Sequence, residues 1–416
     1  MILPPQAGHP STIVDYTATQ SQVRTGTAAG LDRMYVLEWV AASEITEHTT
    51  IEDYVAVLDE VVQEVGGPVN LVGDCQGGWL ATIYAALRPE NVATLSIGAA
   101  PIDFHAGHGA IVDWMTAFRK SVDDPMVVYR SLVKAGRGVH RGQNQLDGFK
   151  LMEPAGELTR LAELWANIGD EAYVERYTDF VSWFETTQDM PGDFYLWTVE
   201  HLFVDNEVVA GTLQVGGETV DLGKITAPLY LLAGTRDHIT PPEQVWALAD
   251  HASTPREDVH ARLFEAGHLG LFMGRSSLQE HWGPVFGDIA ESTAARAAEA
   301  KSAEAPETLF EEKAAPEVPA APATTAKSAA TTSTSAEAAP AKTTRTRTAR
   351  TTGATAKKTT AAKTGTARAS ASKTSTAKSS TTRKPAAKKT ETDSTAAAAN
   401  KPAQKAPAKP AETEGK

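Results

Sequence analysis

The chain has a single cysteine among its 416 residues, and it lacks several other features that would narrow its class. One cysteine excludes an internal disulfide and a zinc cluster built on cysteines, which is typical of a protein from a reducing compartment. No apolar run approaches the roughly 20 residues that a membrane-spanning helix needs, and the first residues lack the basic segment of a signal peptide. These absences predict a cytoplasmic protein without a membrane span.

Nucleotide-binding and metal-binding motifs are also missing. Neither G-x-G-x-x-G nor G-x-x-x-x-G-K-[ST] occurs, so the sequence supports neither a dinucleotide-binding fold nor a P-loop. Residues 103–108 contain an aspartate and two histidines, but their spacing matches no strong ligand pattern. We therefore predict no metal site.

Aromatic residues are scarce in the last part of the chain. All eight Trp and all nine Tyr precede residue 293, and residues 293–416 are mostly Ala, Thr, Ser, Lys, Pro and Glu. This composition offers too little apolar surface to offset the entropy lost on folding. We predict that residues 293–416 are a disordered, low-complexity basic tail, whereas the preceding part is long enough for one α/β domain with an insertion.

Charge is divided between the same two parts. Residues 1–292 carry 17 Lys or Arg against 41 Asp or Glu, whereas residues 293–416 carry 22 against 11. Within the tail, residues 341–390 contain 14 basic residues and no acidic one, which favours nonspecific, salt-sensitive binding to DNA or another polyanion. A purely solubilising extension fits the composition as well, and contact with the acidic body is a third alternative.

Strand and helix patterns alternate along the acidic body, as in a mostly parallel sheet. The helical spacing is clearest at residues 51–65, and the strand patterns are at residues 2–4, 34–39, 69–72, 92–97, 229–233 and 259–264. Residues 104–205 interrupt this alternation with helix-like segments that contain tryptophan. We predict an α/β fold whose core is formed by residues 1–103 and 206–292, with a helical cap insertion at 104–205. Such sheets normally have strands before the first one found here, so we expect either a late start or a trimmed variant.

The most informative segment surrounds Cys75. A strand pattern precedes it and a helical pattern follows at residues 79–87, with Cys75 at the centre of a G-x-C-x-G sequence. Glycines at these positions permit the sharp strand-to-helix turn of a nucleophile elbow. At a helix N-terminus, backbone N–H groups and the helix dipole favour the thiolate that attacks carbonyl carbon. The pattern predicts that Cys75 is a nucleophile rather than a small buried core residue.

An elbow nucleophile is followed in chain order by an acid after a later strand and by a histidine near the end of the domain. Asp237 and His268 both follow predicted strands in this order. We predict that His268 takes the thiol proton and that Asp237 orients the imidazole. His238 is the less favoured base, because it is adjacent to Asp237.

The oxyanion hole of such a site uses backbone N–H groups from the elbow and from the loop after the first core strand. We predict the N–H of Gln76 for the first group. For the second we predict a residue within 6–9, with Gly8 as the candidate.

Five segments together resemble the polyhydroxyalkanoate synthases, and the resemblance spans most of the acidic body. The segments are GDCQGG at 73–78, PIDF at 101–104, VDLGKITAP at 220–228, DHI at 237–239 and AGH at 266–268. The resemblance implies an α/β-hydrolase fold and a triad of Cys75, Asp237 and His268. It further implies that Cys75 accepts a 3-hydroxyacyl group from its coenzyme A thioester, which is the substrate, so no cofactor is expected. The hydroxyl of a second hydroxyacyl group would then extend a polyester.

Two other functions are kept as alternatives. The opening residues 3–9 are similar to the intracellular polyhydroxyalkanoate depolymerases, in which water is the final acceptor. The pair Gly77–Gly78 favours the synthases, although Trp79 stands where their elbow helix usually has a smaller residue. A catalytically silent body that tethers polyester granules to the nucleoid through the tail is the other alternative. The resemblance implies association with a granule surface; no oligomeric state follows from the sequence, and a homo-oligomer is retained as an alternative.

Overall fold

The computed structural model describes residues 1–152 and 154–304. Within these residues, five parallel strands form one sheet in the order in which they occur along the chain. They are β1 (Ile2–Leu3), β2 (Val69–Asp74), β3 (Val92–Gly98), β4 (Leu229–Gly234) and β5 (Val259–Phe264). Short antiparallel ribbons pair Asp15–Thr17 with Gln20–Ser21, Val139–His140 with Met190–Pro191, and Gln214–Val215 with Glu218–Thr219.

Helices occupy most of the remaining described chain. The α-helices are α1 (Gln22–Ala28), α2 (Ile51–Val65), α3 (Gln76–Leu87), α4 (Ala110–Arg119), α5 (Met126–Ala135), α6 (Gly142–Met152), α7 (Pro154–Ala166), α8 (Glu171–Glu185), α9 (Gly192–Trp197), α10 (Glu207–Ala210), α11 (Pro242–His251), α12 (His268–Met273) and α13 (Gly283–Glu304). Two π-helical segments are Thr198–Val204 and Ser277–Trp282, and the 3-10 turns are Ser11–Val14, Pro89–Asn91, Leu222–Lys224 and Arg256–Asp258. None of the helices in the described ranges is long and apolar enough to cross a bilayer.

Strands β1 to β4 of the sheet are buried on both faces. Leu71 of β2 points into a cluster formed with α2 and α3, whereas the next residue, Val72, points into a cluster that contains Phe272 and Phe286. This alternation follows from the two-residue period of a strand, and helices on both faces explain why β2 reads as an almost continuous apolar run. The mostly parallel sheet predicted from the sequence is therefore present, with helices on both faces, and the α/β-hydrolase fold class is confirmed.

Parallel pairing brings the carboxyl ends of the strands to one edge. Leu3 pairs with Gly73, and Asp74 pairs with Gly98. At the other side of the sheet, the last residue of β4 pairs with the last residue of β5. The residues that immediately follow β1, β2, β4 and β5 therefore emerge at a common edge, which is where open parallel sheets place their sites.

The strand predicted at residues 34–39 is not formed. Val36 makes a single parallel bridge to Ile2, with Ile2 N–H donating to the Tyr35 carbonyl at 2.8 Å. The ladder stops there because β1 has only two residues, and it ends before Pro4 and Pro5, which have no N–H to donate. The other predicted strands and the helix at 51–65 are confirmed within a few residues.

The predicted start of the tail at residue 293 needs correction, because α13 continues through it to Glu304. Asn70 at the start of β2 donates to Thr293 Oγ1 at 2.9 Å and accepts from Arg296 at 3.0 Å. These contacts hold the helix against the sheet beyond the predicted boundary. The rest of the predicted tail, including the basic segment 341–390, lies outside the described residues. The predicted insertion at 104–205 contains α4 to α9, and its status as a separate domain stays a prediction.

Candidate active site

Cys75 lies between β2 and α3 in a strained backbone conformation. Its φ is +50° and its ψ is −115°, a region that residues with a side chain rarely adopt. The Cys75 N–H donates to the Gly98 carbonyl at 2.8 Å, which ties the turn to the neighbouring strand. This is the geometry of a nucleophile elbow, with the thiol at the N-terminus of α3.

The glycines around Cys75 are required by close backbone approaches. A Cβ at Gly73 would lie 2.4 Å from the Gly77 carbonyl oxygen, and a Cβ at Gly77 would lie 1.9 Å from the Leu3 carbonyl oxygen. A Cβ at Gly78 would lie 2.3 Å from the Cβ of Ala100. The glycines of the G-x-C-x-G-G sequence therefore allow the start of α3 to pack closely against β1, β2 and the end of β3.

His268 and Asp237 form a buried pair beside the elbow. His268 opens α12, and its Nδ1 lies 2.8 Å from Asp237 Oδ2. Asp237 Oδ1 accepts from the backbone N–H groups of Ile239 and Thr240, each at 2.9 Å. The carboxylate is therefore fixed by three hydrogen bonds. With Nδ1 engaged, Nε2 is the ring nitrogen left to interact with Cys75.

The charge state of this pair follows from opposing effects on His268. Burial favours the neutral imidazole, but the charges of Asp237 and Cys75, and the hydrogen bonds to both, outweigh it. Together they hold the pKa of His268 well above its usual value. A histidine whose proton affinity is raised by a neighbouring carboxylate is suited to act as a base toward a nearby thiol.

The structure brings together the three predicted triad residues, and the competing histidine, His238, takes no part in the hydrogen bond to Asp237. His238 lines a cavity that also contains Cys75 and His268, and its carbonyl accepts from the Ala110 N–H at 2.7 Å. Asp237 directs its free oxygen to His268, so His238 does not take that position.

Of the two residues predicted for the oxyanion hole, Gln76 borders the cavity that contains Cys75 and Gly8 does not. Gly8 has a φ of +86°, and its carbonyl accepts from the Gln188 N–H at 2.8 Å, but it does not border that cavity. The residues of the same loop that do border it are Gln6 and Ala7.

Two cavities meet at Cys75 and His268. The inner cavity has a volume of about 110 Å³ and an apolar wall that includes Trp79, Phe104 and Phe194. The outer cavity has a volume of about 450 Å³, and its wall combines aromatic rings with two guanidinium groups. These outer residues include His9, Phe149, Arg160, Trp183, Phe184 and Arg236.

Asp74 is a buried acid that the sequence analysis did not single out. Desolvation raises its pKa to about 8, although a hydrogen bond from Gln22 and the charge of His268 act in the opposite direction. Gln22 Nε2 donates to Asp74 Oδ2 at 2.7 Å. Because Gln22 lies 52 residues away in the sequence, no local pattern links the two.

The sheet, the strained elbow and the Cys75–His268–Asp237 arrangement define the class as an α/β-hydrolase-fold protein with cysteine at the nucleophile position. More particularly, the chain belongs to the family described as "Protein of unknown function (DUF3141)", whose family profile matches residues 1–285.

Among curated proteins, the chain is similar to poly(3-hydroxyalkanoate) polymerase subunits PhaC. The protein from Haloarcula marismortui is 29% identical over 281 residues, which cover 66% of this chain and 57% of that protein. The protein from Haloferax mediterranei is 29% identical over 304 residues, which cover 71% and 59%. The chain thus spans less than two thirds of the length of these relatives. The resemblance to polyhydroxyalkanoate synthases is confirmed.

The chain is also similar to solved structures. An acetylester hydrolase from Corynebacterium glutamicum matches with a TM-score of 0.44 and 16% identity, covering 70% of this chain and 85% of that one.

Proposed function

We propose that this protein is a polyhydroxyalkanoate synthase-like acyltransferase in which Cys75 carries a hydroxyacyl group as a thioester. The observation that carries the proposal is the position of Cys75 at an elbow, in the same cavities as His268, which Asp237 holds in one orientation. The similarity to poly(3-hydroxyalkanoate) polymerase subunits supports a hydroxyacyl substrate, for which we propose the 3-hydroxyacyl coenzyme A thioester. No cofactor is needed for this chemistry.

The first step transfers the acyl group to the enzyme. The Cys75 thiolate attacks the thioester carbonyl carbon, a new C–S bond forms, and the carbonyl oxygen becomes an oxyanion. When the intermediate collapses, the bond to the coenzyme A sulfur breaks, and His268 donates its proton to that leaving thiolate. The products are an acyl-Cys75 thioester and free coenzyme A.

The second step extends the polyester. The hydroxyl oxygen of another hydroxyacyl group attacks the acyl-Cys75 carbonyl while His268, now neutral, takes the hydroxyl proton. An ester bond forms, the bond to Cys75 breaks, and the thiolate–imidazolium pair is restored. Asp237 stabilises the imidazolium in both steps.

The two cavities suit different parts of this substrate. A cavity of roughly 150 Å³ holds benzene, so the inner cavity fits an acyl group of a few carbons. The outer cavity is larger and includes Arg160 and Arg236, whose positive charge suits the phosphates of coenzyme A. We expect the acyl group of the attacked thioester to occupy the inner cavity.

Hydrolysis is the second candidate function, and the outer cavity is the observation that favours it. A volume of about 450 Å³ reaching Cys75 admits water as well as a second hydroxyacyl group. Water in place of the hydroxyl would release a free 3-hydroxy acid from the same acyl-enzyme, as in a depolymerase or thioesterase.

The test is release of coenzyme A from 3-hydroxybutyryl-coenzyme A by the purified full-length protein, with Cys75→Ala as the matched control. Release that Cys75→Ala abolishes, with polymer as product, supports the synthase proposal. Release with free acid as product supports the hydrolase. Equal turnover by Cys75→Ala, or none by either protein with short or longer acyl chains, contradicts both functions.

A further inference from the structure

The loop that follows β1 lies directly on the elbow. The Leu3 carbonyl oxygen would be 1.9 Å from a Cβ at Gly77, and the Pro4 carbonyl oxygen would be 3.0 Å from it. The indole N–H of Trp39 donates to the same Pro4 carbonyl at 2.7 Å and holds the loop in place. The residues after Pro4 are therefore fixed beside the N-terminus of α3, where a reacting carbonyl has to lie.

This loop offers few backbone donors near Cys75. Pro4 and Pro5 have no N–H group, and Gly8, whose N–H was the sequence-based candidate, does not border the inner cavity. Gln6 is the first residue after the prolines, and it lines that cavity together with Cys75. Ala7 also borders this cavity but has only its backbone N–H, so Gln6 is the residue of the loop that can supply a side-chain donor to the site.

The side chain of Gln6 is held in one orientation. It is only 5% exposed, and the Tyr54 hydroxyl donates to its Oε1. The Tyr54 ring is itself stacked on Phe194 with centroids 4.1 Å apart and packs against Trp39 at 5.1 Å. The hydroxyl that fixes Gln6 is thus supported by two aromatic contacts.

A fixed Oε1 determines where the amide nitrogen points. A carboxamide carries its acceptor oxygen and its two donor hydrogens on opposite arms. No residue in the described part of the chain accepts a hydrogen bond from Gln6 Nε2, and this nitrogen is not among the fully enclosed unpaired atoms. Gln6 lines the inner cavity together with Cys75 and Gln76, which makes this cavity the space available to its N–H groups.

We propose that Gln6 Nε2 donates to the oxyanion that forms when Cys75 attacks a carbonyl, alongside the backbone N–H of Gln76. On attack, the π electrons of the carbonyl move onto its oxygen, and they return when the leaving group departs. A donor already oriented in a buried cavity stabilises that charge without reorganisation. Tyr54 is the positioning residue for this donor. The inference rests on the proposed acyl transfer and adds a residue to it.

Two reactions of Cys75 distinguish a role of Gln6 as oxyanion donor from a purely structural role. Acylation by p-nitrophenyl butyrate passes through an oxyanion, whereas alkylation by iodoacetamide displaces iodide and forms none. Gln6→Met keeps the length of the side chain but removes the donor. We expect Gln6→Met to lower the acylation rate about 100-fold, the usual loss for one oxyanion donor, and to leave the alkylation rate within about twofold.

Tyr54→Phe tests the positioning role, because it keeps the ring stacked on Phe194 and removes only the hydroxyl. We expect a smaller loss of acylation, about 10-fold, since the Gln6 amide is retained but is no longer fixed. Tyr84→Phe is the matched control. Its hydroxyl donates to Asp59 at 3.0 Å, outside the inner cavity, so both rates should stay unchanged.

Each remaining outcome overturns the inference. If Gln6→Met lowers acylation and alkylation equally, Gln6 only supports the elbow. If it lowers neither, the oxyanion is stabilised by other groups. If the wild-type protein is alkylated at Cys75 but acylated by no ester or thioester, the proposed function fails together with the inference, whereas an active wild type with an equally active Gln6→Met overturns the inference alone.

Discussion

Helices α3 and α7 have nearly the same length, 12 and 13 residues, but opposite environments. Every residue of α3 from Gly77 to Leu87 is buried between the sheet and neighbouring helices. None of the α7 residues with described side chains is buried, and three apolar ones, Leu158, Leu161 and Trp165, are between 49% and 72% exposed. Helix α3 is thus packed on all sides, whereas α7 is packed on almost none.

The two helices contribute to different parts of the candidate site. Helix α3 starts at the nucleophile, where small displacements of the reacting atoms cost the most activity. Helix α7 contributes Arg160 to the wall of the outer cavity, and a helix with so little buried surface opens at low free-energy cost. In the proposed function, the nucleophile Cys75 thus adjoins a closely packed helix, whereas the outer cavity is bordered by a helix with no buried residue among its described side chains.

The largest effect is expected at the predicted triad, which lies beside the closely packed helix α3. Asp237→Asn keeps the size of the side chain but removes the charge that raises the pKa of His268. We expect the acylation rate at neutral pH to fall about 10³- to 10⁴-fold, as for other triads that lose this charge. The measurement is single-turnover acylation by p-nitrophenyl butyrate, and a loss below tenfold would contradict the assignment of Asp237.

The second effect is expected in the pH dependence of the free energy of unfolding. It arises at Asp74, the residue directly before Cys75. Asp74 keeps its proton up to a pKa of about 8 in the folded protein, whereas an unfolded aspartate loses it near about pH 4. Between these values the folded state binds more protons, so the free energy of unfolding falls as pH rises, by at most roughly 1.4 kcal/mol per pH unit. His268 acts in the same direction, because its raised pKa gives stability that is lost as pH rises through that pKa.

Asp74→Asn isolates the contribution of Asp74. The amide cannot ionise, and it retains an oxygen that can accept from Gln22. Urea unfolding between pH 5 and 8 should therefore show a flatter dependence in the variant than in the wild type. Identical slopes would mean that Asp74 is ionised in the folded protein.

The third prediction concerns the close contact that defines the elbow. Gly77→Ala places a Cβ at 1.9 Å from the Leu3 carbonyl oxygen, and this backbone atom has no free rotation to move away. We expect the free energy of unfolding to fall by about 3 kcal/mol or more. Urea unfolding measures this loss, and a change below about 1 kcal/mol would show that β1 and α3 are less tightly packed than described.

The sequence predicted the parts of the site that depend on local pattern and chain order. Cys75 was predicted because the apolar strand, the glycines and the helix are contiguous, and Asp237 and His268 because each follows a core strand. Gln6 and Tyr54 were not paired, since they are 48 residues apart and their contact arises only in the folded chain. Gly8 is the candidate that the sequence indicates in this loop, but it packs against Gln145 and does not border the inner cavity.

The fourth prediction is the counterpart of Gly77→Ala in the exposed region. Gly148 lies in the interior of α6, and a Cβ there meets nothing within 4 Å. Gly148→Ala should raise the free energy of unfolding by about 0.5 to 1 kcal/mol, because alanine has the higher helix propensity. Urea unfolding of both glycine variants gives opposite signs if the two regions differ as described. A loss at Gly148 would place an unseen neighbour against α6.

The smallest effect is expected on α7 itself. Trp165→Ala removes a side chain that is 72% exposed, so the free energy of unfolding should change by no more than about 0.5 kcal/mol. Trp79→Ala is the matched variant on α3, where the indole is 2% exposed, and it should cost about 3 to 5 kcal/mol. Thermal and urea unfolding of the pair measure the contrast directly. A loss above 1 kcal/mol for Trp165→Ala would mean that α7 is covered in the protein in solution, and its exposed apolar side chains would then mark a contact surface instead of a loosely held helix.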